Sequence, residues 1–264
     1  MLKIENITKT FSPGTANEKR ALKGVSLHMK PKDFVTVIGG NGAGKSTLLN
    51  AIAGIFSVDS GKIIIDGNDV TKLPEHQRAQ YIGRVFQDPR MGTATDMTIE
   101  ENMSMALRRG KSRTLRKGIT KKEKDMFREY LHMLDLGLEN RMSAKAGLLS
   151  GGQRQALTLL MATMTKPKLL LLDEHTAALD PKTAKKVLEL TKKIIEEEQL
   201  TALMITHNMK DALKHGNRLM MMHEGNILID LQEEQKANLQ VTDLLKMFEK
   251  ASGASATNDR MLLV

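Results

Sequence analysis

Alternation, apolar runs and helical spacing divide this chain into readable stretches. Near the N-terminus, "LKIENITKTF" and "VSLHMK" read as short strands, and "DFVTVIG" as a buried strand that runs straight into a Gly-rich turn. "KSTLLNAIAGI" spaces its apolar residues as a helix that packs on a sheet, and "KIIIDGNDV" is a strand closed by an Asp-Gly turn. From Thr98 to about Leu136 the spacing turns helical, with "TIEENMSMALRR" and "KEKDMFREYLHMLDL" flanking the basic "GKSRTLRKGITKK". That predicts an inserted helical lobe. "RQALTLLMATMTK" is a further helix, and "PKLLLLD" is an unbroken apolar strand of the kind found inside parallel sheets. Asp180 before Pro181 is an N-cap and N1 pair opening the helix "PKTAKKVLELTKKIIEEE". "LTALMIT" is another buried strand, and "RLMMMHEGNILID" a hairpin. Strands alternating with helices predict a three-layer α/β core.

A chain of 264 residues suits one large domain, or one with an inserted lobe. The expected domain covers residues 1–250, with a helical subdomain at about 90–165 and a small, polar C-terminal tail at 251–264. The absence of Cys excludes disulfides and thiolate metal sites and fits a reducing compartment. No stretch approaches the roughly 20 apolar residues of a membrane-spanning helix, and "MLKIENITKT" lacks the apolar region of a signal peptide, so a soluble chain is expected. The net charge of +9 suits nucleic acid, an anionic membrane or a polyphosphate. With 3% aromatic residues and no Trp, a surface that stacks single-stranded bases is disfavoured. The 18 Met residues, "MMM" at 220–222 among them, read as core filler, and the basic run from Arg108 to Lys124 as a solvated helical face.

"GGNGAGKST" supplies the first chemistry. Gly39, four residues, then Gly44, Lys45 and Ser46 form the pattern G-x-x-x-x-G-K-[ST] between an apolar strand and a helix. Backbone N–H groups of Gly39, Asn41, Gly42, Ala43 and Gly44 can surround a polyphosphate at the positive end of that helix. Lys45 would reach the outer phosphates, Ser46 would hold Mg²⁺ through its hydroxyl, and Thr47 would support them. "LLLLDE" adds two adjacent carboxylates at a strand end. Asp173 can orient the Mg²⁺ shell, and Glu174 is placed to activate a water.

Leu149, Ser150, Gly151, Gly152 and Gln153 then match the LSGGQ signature of ATP-binding cassette (ABC) ATPases without a departure. The chain resembles that family over most of its length. The resemblance implies a P-loop core with an N-terminal antiparallel β-subdomain and an inserted helical subdomain. It also implies Phe11 stacked on adenine, Gln87 in "VFQDP" as the Q-loop residue and metal neighbour, "AALD" as the D-loop, and His207 in "MITHN" as the switch histidine. Ser150 and Gly152 at a helix start present an anion site. In the resembling proteins that surplus site closes on the γ-phosphate held by a second subunit. The implied assembly is a head-to-tail homodimer with two shared ATP sites, with Gln153 among the contributions of the partner's signature.

A lone cassette resembles the ATPase subunit of a transporter whose permease subunits are separate integral membrane polypeptides, at the cytoplasmic face of the cell membrane. "FQDPRMGTATDMTIEENM" and "DEHTAALDPKTA" resemble ATPases of bacterial importers that work with an extracytoplasmic binding protein, often for amino acids. An exporter or lipoprotein-release ATPase is the alternative. A chromosome-maintenance ATPase would need a long coiled coil between Lys45 and Ser150, where no heptads are sustained, and a ribosome-associated factor usually carries two cassettes. No nucleic acid is therefore expected as partner. His175 stands where the family generally has proline. Extended-chain alternation turns it away from the water that Glu174 activates, and it reads as a change in turn stiffness or in the dimer seam rather than a metal ligand or proton relay.

Overall fold

The computed structural model describes residues 1–111 and 118–253. Residues 112–117 of the basic run and 254–264 of the expected tail lie outside them. In chain order the elements are β1 (Leu2–Phe11), β2 (Lys19–Met29), β3 (Phe34–Ile38), α1 (Lys45–Ala53), β4 (Ser60–Ile65), β5 (Asn68–Asp69), α2 (Glu75–Arg78) and β6 (Ile82–Val85). There follow α3 (Ile99–Leu107), α4 (Lys121–His132), α5 (Gly151–Thr163), β7 (Leu169–Asp173) and α6 (Pro181–Glu197). The last are β8 (Thr201–Ile205), α7 (Met209–Lys214), β9 (Arg218–His223), β10 (Asn226–Gln232), α8 (Glu233–Lys236) and α9 (Val241–Ser252). Two compact units result, one from Met1–Tyr81 with the segment from Leu200 onward, the other from Ile82–Gln199.

In the first unit, β2, β1, β4 and β5 form an antiparallel sheet, and β8, β3 and β9 pair in parallel with β10 antiparallel at the edge. Every residue of β3 and β8 is buried, as expected for strands covered on both faces. Met220, Met221 and Met222 in β9 have no exposed surface, which bears out their place as core filler. β2 begins well before the expected "VSLHMK". Its register slips against β1 hid the alternation. The Asp-Gly turn between β4 and β5 has positive φ at both Asp66 (51°) and Gly67 (83°), the geometry of a tight hairpin. α9 was not anticipated. Its Leu244 and Phe248 bury against Ile38, Met221 and Leu231.

Arg78 and Lys236 brace this unit through backbone carbonyls. Arg78 is 2% exposed and donates to Ala51 O and Ile52 O (2.7 and 2.8 Å), Leu73 O (2.8 Å) and Thr71 O (3.0 Å). It thereby fixes the negative end of α1. Lys236, 5% exposed, donates to His215 O and to Gly216 O (2.8 Å) at the end of α7. Burial pushes its pKa down to about 8, with Glu233 opposing. The neutral amine still has two N–H donors for the two carbonyls. Between about pH 8 and about 10.4 the unfolded chain binds a proton that the folded chain does not, so this group makes stability rise with pH there. Melting of the parent and Lys236→Met from pH 7 to 10 tests this. The parent's melting temperature should rise relative to the variant's above pH 8, and parallel pH profiles would refute the assignment.

In the second unit, β6 and β7 pair in parallel from Ile82↔Leu169 to Val85↔Leu172. β6 was missing from the sequence expectation because Gly83 and Arg84 interrupt its apolar pattern. A Cβ on Gly83 would come within 2.4 Å of Ala162 O, so the α5 backbone passes directly over this strand. Ile99, Met103, Phe127, Leu131, Leu157 and Leu160 form the core between α3, α4 and α5. Thr98, Thr120 and Ser150 each open their helix with a reciprocal capping box. Asp180 caps α6 as expected, accepting from Thr183 N–H at 3.1 Å. Lys111, Lys121, Lys122 and Lys124 of the basic run are exposed, as the solvated-face reading expects, and Arg108 and Arg109 at its start depart from it. Arg109 donates to Met161 O (2.8 Å) and Ile82 O (3.4 Å), and Arg108 to Ser104, Gly118 and Glu123. Both arginines lie half-buried because their long side chains fold back to satisfy carbonyls. No helix among the described residues is long and apolar enough to cross a membrane.

Candidate functional site

β3 passes directly into the Gly39–Gly44 loop, and α1 begins at Lys45. Gly39 has φ 149°, and a Cβ there would lie 2.2 Å from Met222 O. Gly44 has φ 102°, and its Cβ would lie 2.7 Å from Ala21 O. Neither position admits a side chain. The loop is held from behind: Gly225 N–H donates to Ala43 O and Lys23 N–H to Gly225 O, both at 2.9 Å. The Lys45 side chain, 7% exposed, folds along the loop and its ammonium donates to Gly39 O (2.7 Å) and Gly40 O (3.1 Å). Unlike α3, α4 and α5, α1 has no side-chain cap, and unlike α3 and α4 it has no acid in its first turn. Its N–H groups and positive helix end face a loop whose Asn41 and Gly42 are exposed, and in its own first turn Ser46 is exposed and Thr47 partly so. That is an anion cradle by construction.

Two further predicted residues belong to the same unit. The β3–β8 register pairs Val37 with Ile205, and Thr206 N–H donates to Val37 O at 3.1 Å. Gly39 and the exposed His207 therefore stand at matching positions beyond the carboxyl ends of paired strands, where α/β sheets bind ligands. Asn208 caps α7 immediately after it. Phe11 ends β1, 37% exposed, packed edge-on against Phe56 at 5.3 Å with the Lys9 ammonium 5.7 Å from its centroid. Lys19 pairs with Phe11 across β1 and β2, and its Nζ lies 3.4 Å from where a Gly42 Cβ would be. Neither Lys19 nor Phe56 was identified from the sequence. Lys19 joins the aromatic end of β1 to the phosphate loop, a link carried by strand register that no linear motif records.

The second unit carries the acids. Asp173 closes β7, and Glu174 follows with φ 43°, a left-handed conformation that costs an ordinary residue roughly 1–2 kcal/mol. Such strain gathers at functional sites. It also overturns the alternation argument for His175, because the chain is no longer extended at Glu174. His175 is 2% exposed and its Nε2 lies 3.0 Å from Thr191 Oγ1 on α6. The Thr191 hydroxyl spends its one proton on Val187 O (2.7 Å), so it accepts from His175 Nε2–H. A side chain so buried cannot line a seam between subunits. It ties the turn after Glu174 to α6.

Gln87 lies two residues beyond Val85 as Glu174 lies two beyond Leu172, its strand partner. The chain is pinned on both sides of Gln87: Phe86 O accepts from Gln155 Nε2 at 3.0 Å, and Asp88 caps the turn at Pro89–Gly92. Gln87 itself is exposed. Hydrogen bonds and charge from Arg90 hold the Asp88 carboxyl below its usual range. At α5, Ser150 Oγ accepts from Gln153 N–H (3.3 Å) while Gln153 Oε1 accepts from Ser150 N–H (3.2 Å). A Cβ on Gly152 would come within 2.1 Å of Thr183 Cγ2, so this glycine also lets α6 approach. Ser46, Gln87 and Asp173 offer a hydroxyl, an amide oxygen and a carboxylate, hard oxygen donors that suit Mg²⁺.

A family model described as ABC transporter matches residues 22–177. The chain belongs to the ABC transporter family, as an ATP-binding subunit. This ABC ATPase is 45% identical over 251 residues to a tyrosine transport ATP-binding protein of Clostridioides difficile, covering 95% of the chain and all of the relative. It is 31% identical over 242 residues to the energy-coupling factor transporter ATP-binding protein EcfA2 of Clostridium tetani, covering 90% of the chain and 81% of the relative. Among solved structures it resembles the ATP-binding cassette MJ0796 in a dimeric post-hydrolysis state with ADP and phosphate. The TM-score is 0.75 at 32% identity, over 88% of this chain and 99% of that one. The expected ABC ATPase fold and ATP hydrolysis are thereby borne out.

Proposed function

We propose that this ABC ATPase drives a bacterial importer of a small molecule of the amino-acid class, at the cytoplasmic face of the membrane. The likeness to the tyrosine transport protein along that relative's entire length carries this reading. The ATPase works as a head-to-tail pair docked on integral membrane permease subunits, which an extracytoplasmic binding protein supplies with substrate. Residues 1–250 act as one cassette whose helical subdomain spans about 90–165.

Each ATP is held by the N–H groups of Gly39, Asn41, Gly42, Ala43, Gly44, Lys45, Ser46 and Thr47, with Lys45 on the outer phosphates and Phe11 against the adenine. Ser46, Gln87 and Asp173 would hold Mg²⁺, which when bound would neutralise phosphate charge. Glu174 takes the proton of the attacking water, and His207 and Gln87 hold the γ-phosphate end of the site in register. Ser150, Gly152 and Gln153 of the second copy complete the site from the N-terminus of α5. Loss of the γ-phosphate removes what joins the two halves, and the pair opens.

The decisive experiment is purification of the complex from its native membrane, identification of its subunits, and calorimetry of the binding protein against the common amino acids. Membrane permeases and a binding protein that takes tyrosine or a related amino acid are expected. Co-purification with an efflux or lipoprotein-release assembly would overturn the importer reading, and a binding protein indifferent to amino acids would overturn the amino-acid class.

A further inference from the structure

β6 has an arginine, Arg84, where its other residues are buried and either apolar or glycine. The register sets Arg84 beside Leu171, two residues before Asp173. Its Nη2 lies 3.5 Å from Asp173 Oδ2, with both side chains largely buried. The guanidinium also lies over the Phe86 ring, 4.6 Å from its centroid. Stacking on Phe86 holds the cation in place, so little further entropy is lost in facing the carboxylate. An aliphatic side chain would serve the strand as well, without the desolvation that a buried guanidinium carries.

We propose that Arg84 is a positioning residue that weakens the hold of Asp173 on Mg²⁺ and so eases release of the metal with spent nucleotide. The proposal rests on the reading that Asp173 orients the metal. A carboxylate oxygen facing a guanidinium shares its lone pairs, and a fixed positive charge at this range opposes entry of a divalent cation. Arg84 also keeps the carboxylate in one rotamer, so Asp173 stays ordered between turnovers.

The test is an equilibrium titration of the full chain with Mg²⁺ in the presence of a fluorescent ADP analogue, which requires no hydrolysis. Arg84→Met should lower the half-saturating Mg²⁺ concentration by about 3- to 10-fold, the effect of removing one partly screened charge beside the ligand. Arg84→Lys should stay near the parent, and Asp173→Asn should raise it. Unchanged or weaker Mg²⁺ affinity in Arg84→Met, alongside a weakened Asp173→Asn, would overturn the role of Arg84 alone. Unchanged affinity in Asp173→Asn would remove the premise and the proposal with it. Arg84→Gln repeats the measurement if Arg84→Met does not fold, with the same two outcomes deciding.

Discussion

Glu174→Gln should lower ATP hydrolysis by about 10²- to 10⁴-fold while leaving ATP bound, the loss expected when a general base can no longer accept a proton. Gln has the shape of Glu and places its amide where the carboxylate was, so binding and pairing should survive. The backbone argues for the same outcome. Glu174 is held at φ 43° by the turn in which Ala177 N–H donates to Glu174 O, and by the anchoring of the next residue, His175, on Thr191. A conformation that disfavours most side chains is thus imposed by neighbours, and Gln inherits it unchanged. The variant should accumulate as an ATP-bound dimer in gel filtration, because the γ-phosphate that joins the halves is no longer removed. Turnover close to that of the parent would show that another group takes the proton.

The sequence exposed most of what depends on short contiguous chemistry. The phosphate loop was legible because its function is carried by glycine backbone and one lysine next to a helix start. The structure shows why those positions are glycine, since Met222 O and Ala21 O occupy the space of side chains at Gly39 and Gly44. The signature was legible as a contiguous five-residue match to LSGGQ, and the structure adds that its Ser150 and Gln153 form a capping box. Features that depend on register or on an unusual dihedral were not legible. Lys19 reaches the loop only through its pairing with Phe11, and Arg84 reaches Asp173 only through the β6–β7 pair. The burial of His175 could not be inferred from alternation, because a non-glycine residue with positive φ precedes it. α9 left a signal in the helical spacing of Leu244, Leu245 and Phe248, and its apolar face packs as that spacing requires.

Lys45→Ala should weaken ATP binding by about 10- to 100-fold, as expected for a lost charge-assisted contact to phosphate in a largely buried site. The same change should lower the melting temperature of the nucleotide-free chain, because the Lys45 ammonium also satisfies Gly39 O and Gly40 O and the side chain is nearly inaccessible. Calorimetry with ATP separates the two effects, since a folded variant with parental affinity would refute the phosphate-loop assignment whatever its stability. Mixing then asks where the rest of the site comes from. Ser150→Arg places a cation and a bulky side chain at the start of α5, blocking the contribution of that chain to its neighbour while sparing its own phosphate loop. In a mixed pair, an intact Lys45 meets an intact Ser150 in one of the two shared sites, so ATPase activity should exceed that of either variant alone. Activity no higher than the better single variant would mean that Ser150 acts within its own chain, and the head-to-tail pair would have to be abandoned.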